Sequence, residues 1–278
     1  MPNLVFSTRI SSSAGNCAVL SGPRGSVLLD AGFSSQRAFM AAIADIEAVS
    51  GPVRAIVATH AHRDHINRGV VKCAGKLKIP IFLTPPAAEV LARDSSCADC
   101  LDECNVEIYG NDAFSLEGMR FRAFPVQHAP GFPNRGFVIE SGGSRLGFAT
   151  DLCTTRGLAH ELADCDVLYL ESNYDPELLR LNPNPNSRFH LPNAKSAGFL
   201  AELVATGAGP RLVCLGHLSV HRNRPEIALT AARARLAGRK NTPQVMAAPA
   251  YEPSCTITVE RRGFTTITES SRPAGLFA

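Results

Sequence analysis

The sequence has no apolar run approaching the roughly 20 residues that a membrane-spanning helix needs. Its N-terminal residues also lack the charged start and long apolar stretch of a secretion signal. The net charge of +3 is too small to indicate nucleic-acid or membrane binding by itself. Together with an odd count of 9 cysteines, these features predict a cytoplasmic protein with reduced thiols and no membrane partner.

Two common catalytic motifs are missing as well. There is no Gly-x-Ser-x-Gly elbow for a serine nucleophile and no phosphate-binding P-loop. Internal repeats and low-complexity linkers are also absent, so residues 1–278 are predicted to form one domain. A content of 45% hydrophobic and 19% charged residues is typical of a globular protein with a large core.

Short apolar runs and helical periodicity alternate along the chain. Strands are predicted at residues 4–7, 17–20, 26–30, 54–59, 121–126, 137–140, 145–149, 167–170 and 211–215. Helices are predicted at 35–49, 193–206 and 225–237. Because the strands come in groups with helices between them, we expect an α/β protein in which packed sheets are covered by helices.

The strongest chemical signal directly follows the strand predicted at 54–59, in the segment Thr59-His60-Ala61-His62-Arg63-Asp64-His65. In extended chain, His60 and His62 point to the same side, and a following turn would aim Asp64 and His65 at a second point nearby. Imidazole and carboxylate groups suit zinc or manganese. One tight turn is therefore predicted to serve two metal ions.

Three further candidate ligands each end an apolar run, where the rim of a sheet presents side chains to a cleft. They are His128, Asp151 and His217. We expect these residues to complete the coordination of the two ions.

The order His-x-His-x-Asp-His, then a distant His, an Asp and a last His, resembles the metallo-β-lactamase superfamily. The segment Leu28-Leu29-Asp30-Ala31-Gly32 matches the early strand and turn of that family. Finer elements resemble the YycJ/WalJ branch, whose members are regarded as nucleases or phosphodiesterases. These elements are 12–17, 150–152, 171–175, 216–219 and, as an altered Gly-His-Leu-Ser-Asn element, 189–193.

The resemblance implies an αββα four-layer sandwich with the metals at one sheet edge. It implies that one Zn²⁺ or Mn²⁺ ion is held by His60, His62 and His128. A second ion would be held by Asp64, His65 and His217, with Asp151 bridging the two. Asp30, with Thr59 beside it, would orient a ligand histidine by a hydrogen bond.

The predicted reaction is hydrolysis of a phosphodiester, in single-stranded DNA or RNA, by a hydroxide shared between the two metals, in the manner of an exonuclease. Asp64 and His190 are the predicted catalytic residues, and His190 would contact the scissile phosphate or protonate the leaving oxygen. Alternatively, His190 only caps the helix that starts near Asn193. The predicted substrate-binding residues are Asn173, His190, Asn193 and Ser219.

Two other functions stay open: a small-molecule hydrolase acting on a cyclic phosphodiester, thioester or lactone, and a non-catalytic nucleic-acid-binding module stabilised by metal. Basic residues that either supply charge for a phosphate chain or are ordinary surface are Arg135, Arg188 and Lys195. His160 and His221 are expected at the surface. Four cysteines either hold a structural metal or pack as small apolar residues: Cys73, Cys97, Cys100 and Cys104.

Overall fold

The computed structural model describes residues 4–267. Within this range the strands are β1 (Leu4–Ser12), β2 (Gly15–Gly22), β3 (Gly25–Leu29), β4 (Val53–Val57), β5 (Ile81–Leu83), β6 (Val106–Ile108), β7 (Phe114–Leu116), β8 (Met119–Val126), β9 (Asn134–Ser141), β10 (Ser144–Ala149), β11 (Val167–Glu171), β12 (Leu212–Gly216), β13 (Gln244–Ala247), β14 (Thr256–Glu260) and β15 (Gly263–Ile267). The helices are α1 (Gln36–Ser50), α2 (Arg68–Leu77), α3 (Pro85–Arg93), α4 (Ser95–Leu101), α5 (Leu158–Glu161), α6 (Pro176–Leu181), α7 (Asn193–Ala205) and α8 (Pro225–Leu236). A 3₁₀ turn covers Pro185–Phe189.

The strands form two sheets. The first has the order β15-β14-β1-β2-β3-β4-β5-β6, and the second has the order β13-β12-β11-β10-β9-β8-β7. Strands β3, β4, β5 and β6 pair in parallel, as do β10, β11, β12 and β13. The carboxyl ends of parallel neighbours lie at the same edge of a sheet, so the segments that follow them are brought together.

Three apolar cores separate four layers. In β3, Val27 and Leu29 pack between the sheets, whereas Leu28 packs outward against α1–α4. On the second sheet, Leu168 and Val213 face α5, α7 and α8. Side chains alternate along each strand, and each fully buried leucine or valine contributes about 1.5–3 kcal/mol. This arrangement confirms the predicted αββα metallo-β-lactamase fold.

The nine predicted strands and three predicted helices all correspond to elements of the structure. Short strands such as β5, β6 and β7 were not predicted, because three residues carry no readable periodicity. The strand predicted at 54–59 ends at Val57, since the chain turns into the histidine segment two residues earlier than expected. No helix within residues 4–267 is long and apolar enough to cross a membrane.

Candidate metal centre

The seven predicted ligands lie together at one edge of the sandwich. His60, His62 and His128 form one group, and Asp64, His65, Asp151 and His217 form another. Within each group the potential ligand atoms lie within 4.8 Å of one another. The ligands reach this edge from the segments that follow β4, β8, β10 and β12.

In the first group, three imidazole nitrogens converge. His62 Nδ1 lies 2.9 Å from His60 Nε2 and 3.1 Å from His128 Nε2. The other ring nitrogen of His128, Nδ1, donates to the backbone carbonyl of Phe189 at 3.1 Å. Because a carbonyl only accepts, this bond fixes the proton on Nδ1 and leaves the Nε2 lone pair facing the centre.

Thr59 and Asp30 fix His60 in the same way. The Thr59 hydroxyl donates to Asp30 Oδ2 at 3.0 Å, and the Thr59 backbone N–H donates to Asp30 Oδ1 at 2.7 Å. The hydroxyl proton is thus directed to the carboxylate, and the oxygen accepts from His60 Nδ1 at 3.0 Å. The His60 Nε2 lone pair is then free to bind a cation.

In the second group, Asp151 faces two histidines. Its Oδ2 lies 3.0 Å from His65 Nε2, and its Oδ1 lies 3.3 Å from His217 Nε2 and 3.7 Å from His128 Nε2. Asp151 therefore reaches both groups, as a bridging ligand must. The Asp64 carboxylate lies 3.5 Å from His65 Nε2.

Hydrogen bonds also orient both histidines of the second group. His65 Nδ1 donates to Asp30 Oδ2 at 2.7 Å, and His217 Nδ1 donates to Asn16 Oδ1 at 2.9 Å. His217 Nε2 is buried and has no hydrogen-bond partner within the described residues. A buried nitrogen lone pair without a partner requires an explanation, and a cation supplies one.

The electrostatics of the groups also fit cations. Burial lowers the pKa of His128 and of His217 to about 4 and holds the pKa of His60 well below its usual range. These imidazoles are therefore neutral, which is the form that binds metal.

His65 is the exception among the imidazoles. Burial opposes its charge, but three carboxylates, Asp151, Asp30 and Asp64, outweigh burial and raise its pKa well above the usual value. The three carboxylates therefore favour positive charge at this point, and a metal ion in place of the His65 proton would supply it. The donor set fits two divalent ions.

Three residues of the site adopt left-handed backbone. Asp30, Asp151 and His217 have φ values of 61°, 54° and 52°. Each follows the end of a strand, namely β3, β10 and β12. This conformation costs a non-glycine residue about 1–3 kcal/mol and is concentrated at functional sites. The turn after each strand is therefore held in a conformation that serves the centre.

Glu171 is a residue of the site that was not predicted from the sequence. Its buried carboxylate accepts from His190 Nδ1 at 2.7 Å and from the Leu152 backbone N–H at 2.8 Å. Burial raises the pKa of Glu171 to about 7, although His190 offsets part of this effect. Glu171 ends β11 just as Asp151 and His217 follow the neighbouring strands, so the rule that found those two would also have found it.

Asn16 was also missed, although it lies in one of the elements that carried the resemblance. Besides orienting His217, its Nδ2 donates to Asp64 Oδ2 at 3.4 Å. Its backbone N–H donates to the carbonyl of Asp64 at 2.8 Å. Asn16 therefore ties β2 to the metal-binding turn.

Three predicted substrate-binding residues are not at the cleft surface. Asn173, Asn193 and Ser219 are all buried. Asn173 Nδ2 donates to the carbonyl of His217, Asn193 Oδ1 accepts from Ser172 Oγ, and the Ser219 N–H donates to the carbonyl of Asn173. Their polar groups hold loops behind the centre, and none of the three is among the described residues that line the cleft, so their part in substrate binding stays a prediction. His190, by contrast, does line it.

The cleft over the centre has a volume of about 540 Å³. Besides predicted ligands and His190, its polar lining consists of Ser13, Asn184, Asn186 and Arg222. The rings of Phe132 and Phe189 also line it, and the centroid of the Phe132 ring lies 4.0 Å from the centroid of the His62 ring.

The other basic candidates lie elsewhere. Arg188 is exposed and stacks over the Phe189 ring, while Arg135 is half-buried and Lys195 is exposed. None of the three is among the described residues that line the cleft. His160 and His221 are exposed, as predicted.

The four cysteines of the possible structural metal site pack in the outer core of the first sheet. Cys73, Cys97 and Cys100 are buried among apolar residues, and Cys104 packs against them. Cys104 Sγ donates to the carbonyls of Val71 and Cys100. Across residues 4–267, no cysteine belongs to a group of three or more close potential ligands. The packing favours the apolar alternative.

Comparison with known proteins agrees with this geometry. The family model described as the beta-lactamase superfamily domain matches residues 26–218. No curated protein matches the chain.

Among solved structures, the chain is similar to Zn²⁺-bound PqqB from Methylobacterium extorquens, with 15% identity, coverage of 88% of this chain and 98% of that one, and a TM-score of 0.70. It is also similar to a diphosphatase of the PhnP family (15% identity; 93% and 99% covered; TM-score 0.65) and to the short form of human tRNase Z (14% identity; 90% and 98% covered; TM-score 0.60). At these identities the likeness shows the fold. The family match over most of the chain shows that the protein is a member of the metallo-β-lactamase superfamily.

Proposed function

We propose that this protein is a metal-dependent phosphodiesterase that acts on nucleic acid, with its two ions held by the seven ligands described above. One observation carries the proposal. Every polar side chain that lines the cleft, other than the predicted ligands, can donate a hydrogen bond: Ser13, Asn184, Asn186, His190 and Arg222. The only carboxylates in that lining belong to Asp64 and Asp151. Such a cleft suits an anionic substrate rich in acceptor oxygens.

Two further observations support the choice of substrate. The fold is shared with a diphosphatase and with a tRNase, both of which act on phosphate-containing bonds. Elements that resemble the YycJ/WalJ branch also contribute to this site: Asp151 and His217 line the cleft, Asn16 is hydrogen-bonded to His217, and Glu171 is hydrogen-bonded to His190. The aromatic side chains of Phe132 and Phe189 are also part of the cleft lining, and aromatic residues of this kind stack on bases in nucleic-acid-binding proteins.

Zn²⁺ or Mn²⁺ bound here would lower the pKa of water and draw charge from the phosphoryl oxygens. The chain itself positions the substrate and handles the proton of the leaving group. Arg222 lines the cleft, and its Nε donates to the carbonyl of Asn182 at 2.6 Å, which holds the guanidinium in place for a phosphate oxygen.

His190 is the proposed proton donor. Its Nδ1 is held by Glu171, so Nε2 is the nitrogen left to deliver a proton to the leaving oxygen. Burial opposes its charge, but the Glu171 carboxylate outweighs burial and raises the pKa of His190 to about 9. His190 is thus kept protonated, and Glu171 acts as its positioning residue.

The test compares two substrates that differ in leaving group. We expect His190→Ala to lower kcat on 5′-phosphorylated single-stranded DNA by about 100-fold or more, because an alkoxide needs a proton as it leaves. On bis(p-nitrophenyl) phosphate the loss should be far smaller, because nitrophenolate leaves without one. Glu171→Gln should show the same split, and His160→Ala, at an exposed histidine, should change neither rate.

An equal loss on both substrates, with both metals retained, would refute the role of His190. The wild-type protein is also assayed on RNA, a cyclic dinucleotide and a thioester. Turnover of the thioester alone would overturn the phosphodiesterase proposal in favour of a small-molecule hydrolase. Metal binding with no turnover of any of these substrates would favour a non-catalytic module.

A further inference from the structure

A cluster of arginines lies at the end of the parallel strands opposite to the metal centre. The metal centre lies beyond their carboxyl ends, where Glu171 closes β11. Asp166 immediately precedes β11, and Arg211 immediately precedes β12. Five residues of strand span about 16 Å, so this site is separate from the centre.

Four arginines meet here around a cavity of about 370 Å³. They are Arg145 at the start of β10, Arg211, and the pair Arg261 and Arg262 in the turn between β14 and β15. The cavity volume falls within the range of roughly 300–1,000 Å³ found for small-molecule sites.

Asp166 holds three of these arginines close together through hydrogen bonds to their backbone N–H groups, not through ion pairs with their side chains. Its carboxylate accepts the backbone N–H of Arg145 at 2.8 Å and the backbone N–H of Arg262. Its own carbonyl accepts the backbone N–H of Arg211 at 2.8 Å. Because main-chain donors occupy both carboxylate oxygens, Asp166 gathers three arginines without forming an ion pair with any of them.

The guanidinium groups are therefore largely available. Arg211, Arg261 and Arg262 are exposed, and within residues 4–267 their side chains form no hydrogen bond or ion pair. Arg145 Nε lies 3.2 Å from Glu140 Oε1, a carboxylate that Arg120 shares. At the cavity itself, Asp164 is the only other acidic residue in the described lining.

Arg262 is also held in left-handed backbone, with φ of 61°. Glycine or asparagine takes this conformation more readily than arginine does. Its N–H bond to Asp166 fixes the strained turn over the cavity. Repulsion among the four cations adds to the cost, and a bound anion would relieve it.

We propose that this cavity is a binding site for the diphosphate group of a small molecule. Guanidinium groups match phosphate oxygens with paired hydrogen bonds, and several converging cations favour a multiply charged anion over a single carboxylate. The distance from the metal centre favours a separate small ligand over the substrate chain. This inference does not depend on the reaction at the centre.

The test is calorimetric titration of the full-length protein with inorganic pyrophosphate, ADP and a 5′-phosphorylated single-stranded oligonucleotide. The variant Arg211→Gln/Arg261→Gln removes two exposed guanidinium groups. We expect it to weaken pyrophosphate and ADP binding by roughly tenfold for each group lost, because each guanidinium removed takes a charge-assisted hydrogen bond to the anion with it. Hydrolysis at the metal centre should stay unchanged.

The matched control, Arg37→Gln/Arg235→Gln, removes two exposed arginines outside this cavity and should bind pyrophosphate like the wild type. Equal affinity in the wild type and the Arg211→Gln/Arg261→Gln variant would place the bound pyrophosphate elsewhere and overturn the proposal. A loss confined to the oligonucleotide would overturn it in favour of nucleic acid. Should the Gln variant melt early, Arg211→Lys/Arg261→Lys keeps the charge and must still weaken binding, because lysine cannot form the paired bonds.

Discussion

Replacing Asp30 by asparagine tests whether the groups behind the ligands set metal affinity. Asp30 is fully buried and accepts from the Thr59 N–H at 2.7 Å, the Thr59 hydroxyl at 3.0 Å and His65 Nδ1 at 2.7 Å. An asparagine has one acceptor oxygen and one NH₂ group. In either amide orientation, the NH₂ faces an N–H donor, from His65 or from Thr59.

This clash of two donors is removed at the lowest cost in free energy if the His65 proton moves from Nδ1 to Nε2. That proton then occupies the nitrogen that must bind the metal. The charge-assisted bond that is lost is worth about 1.5–3 kcal/mol, which corresponds to roughly 10- to 100-fold in metal affinity. The same range is found when groups behind metal ligands are mutated in other proteins.

The assay is zinc competition with a chromophoric chelator at neutral pH, with melting temperatures recorded for the metal-free proteins. Asp112→Asn, at an exposed aspartate, is the matched control and should bind zinc like the wild type. An Asp30→Asn protein that folds and binds zinc within about threefold of the wild type would refute the reasoning. Thr59→Val is a milder variant, which removes only the hydroxyl that accepts from His60 Nδ1, and it should weaken binding by about tenfold.

Three further predictions concern the same region. Gly32→Ala should lower the free energy of unfolding, measured in urea, by about 2–3 kcal/mol, because the added Cβ would lie 1.7 Å from the carbonyl oxygen of Asp64. The control Gly198→Ala in α7 should be neutral or stabilising, because no atom lies within 4 Å of the added Cβ. Asn16→Ala should lower bound zinc from two equivalents towards one after gel filtration, because His217 loses the partner of its Nδ1; two retained equivalents would contradict this. Removal of metal by a chelator should lower the melting temperature by about 10–20 °C, as expected for two ions that are each present at roughly 100 times its dissociation constant, and an unchanged melting temperature would argue against bound metal in the folded state.

The distinction between what could and could not be predicted is clear at the strand ends. His128, Asp151 and His217 were identified because a polar residue after an apolar run is visible in one dimension. Asn173, Asn193 and Ser219 were placed at the cleft because they lie in segments that resemble the YycJ/WalJ branch, yet they are buried behind it. Successive side chains after a strand end point in different directions, and only the backbone path of the turn decides which of them faces the cleft.

The sequence by itself indicated packed sheets covered by helices and a dense group of potential ligands around His60, because both arise from local order: apolar runs in strands, and histidines two residues apart. The four-layer αββα order was implied by the resemblance to the metallo-β-lactamase superfamily. Only the tertiary structure decided which distant residues contact one another and hold these side chains in place. Asn16 reaches His217 across 201 positions of chain, Asp166 gathers arginines from three separate segments, and Glu171 holds His190. Such contacts depend on which loops the two packed sheets bring to the same edge, and no local pattern in the chain records that.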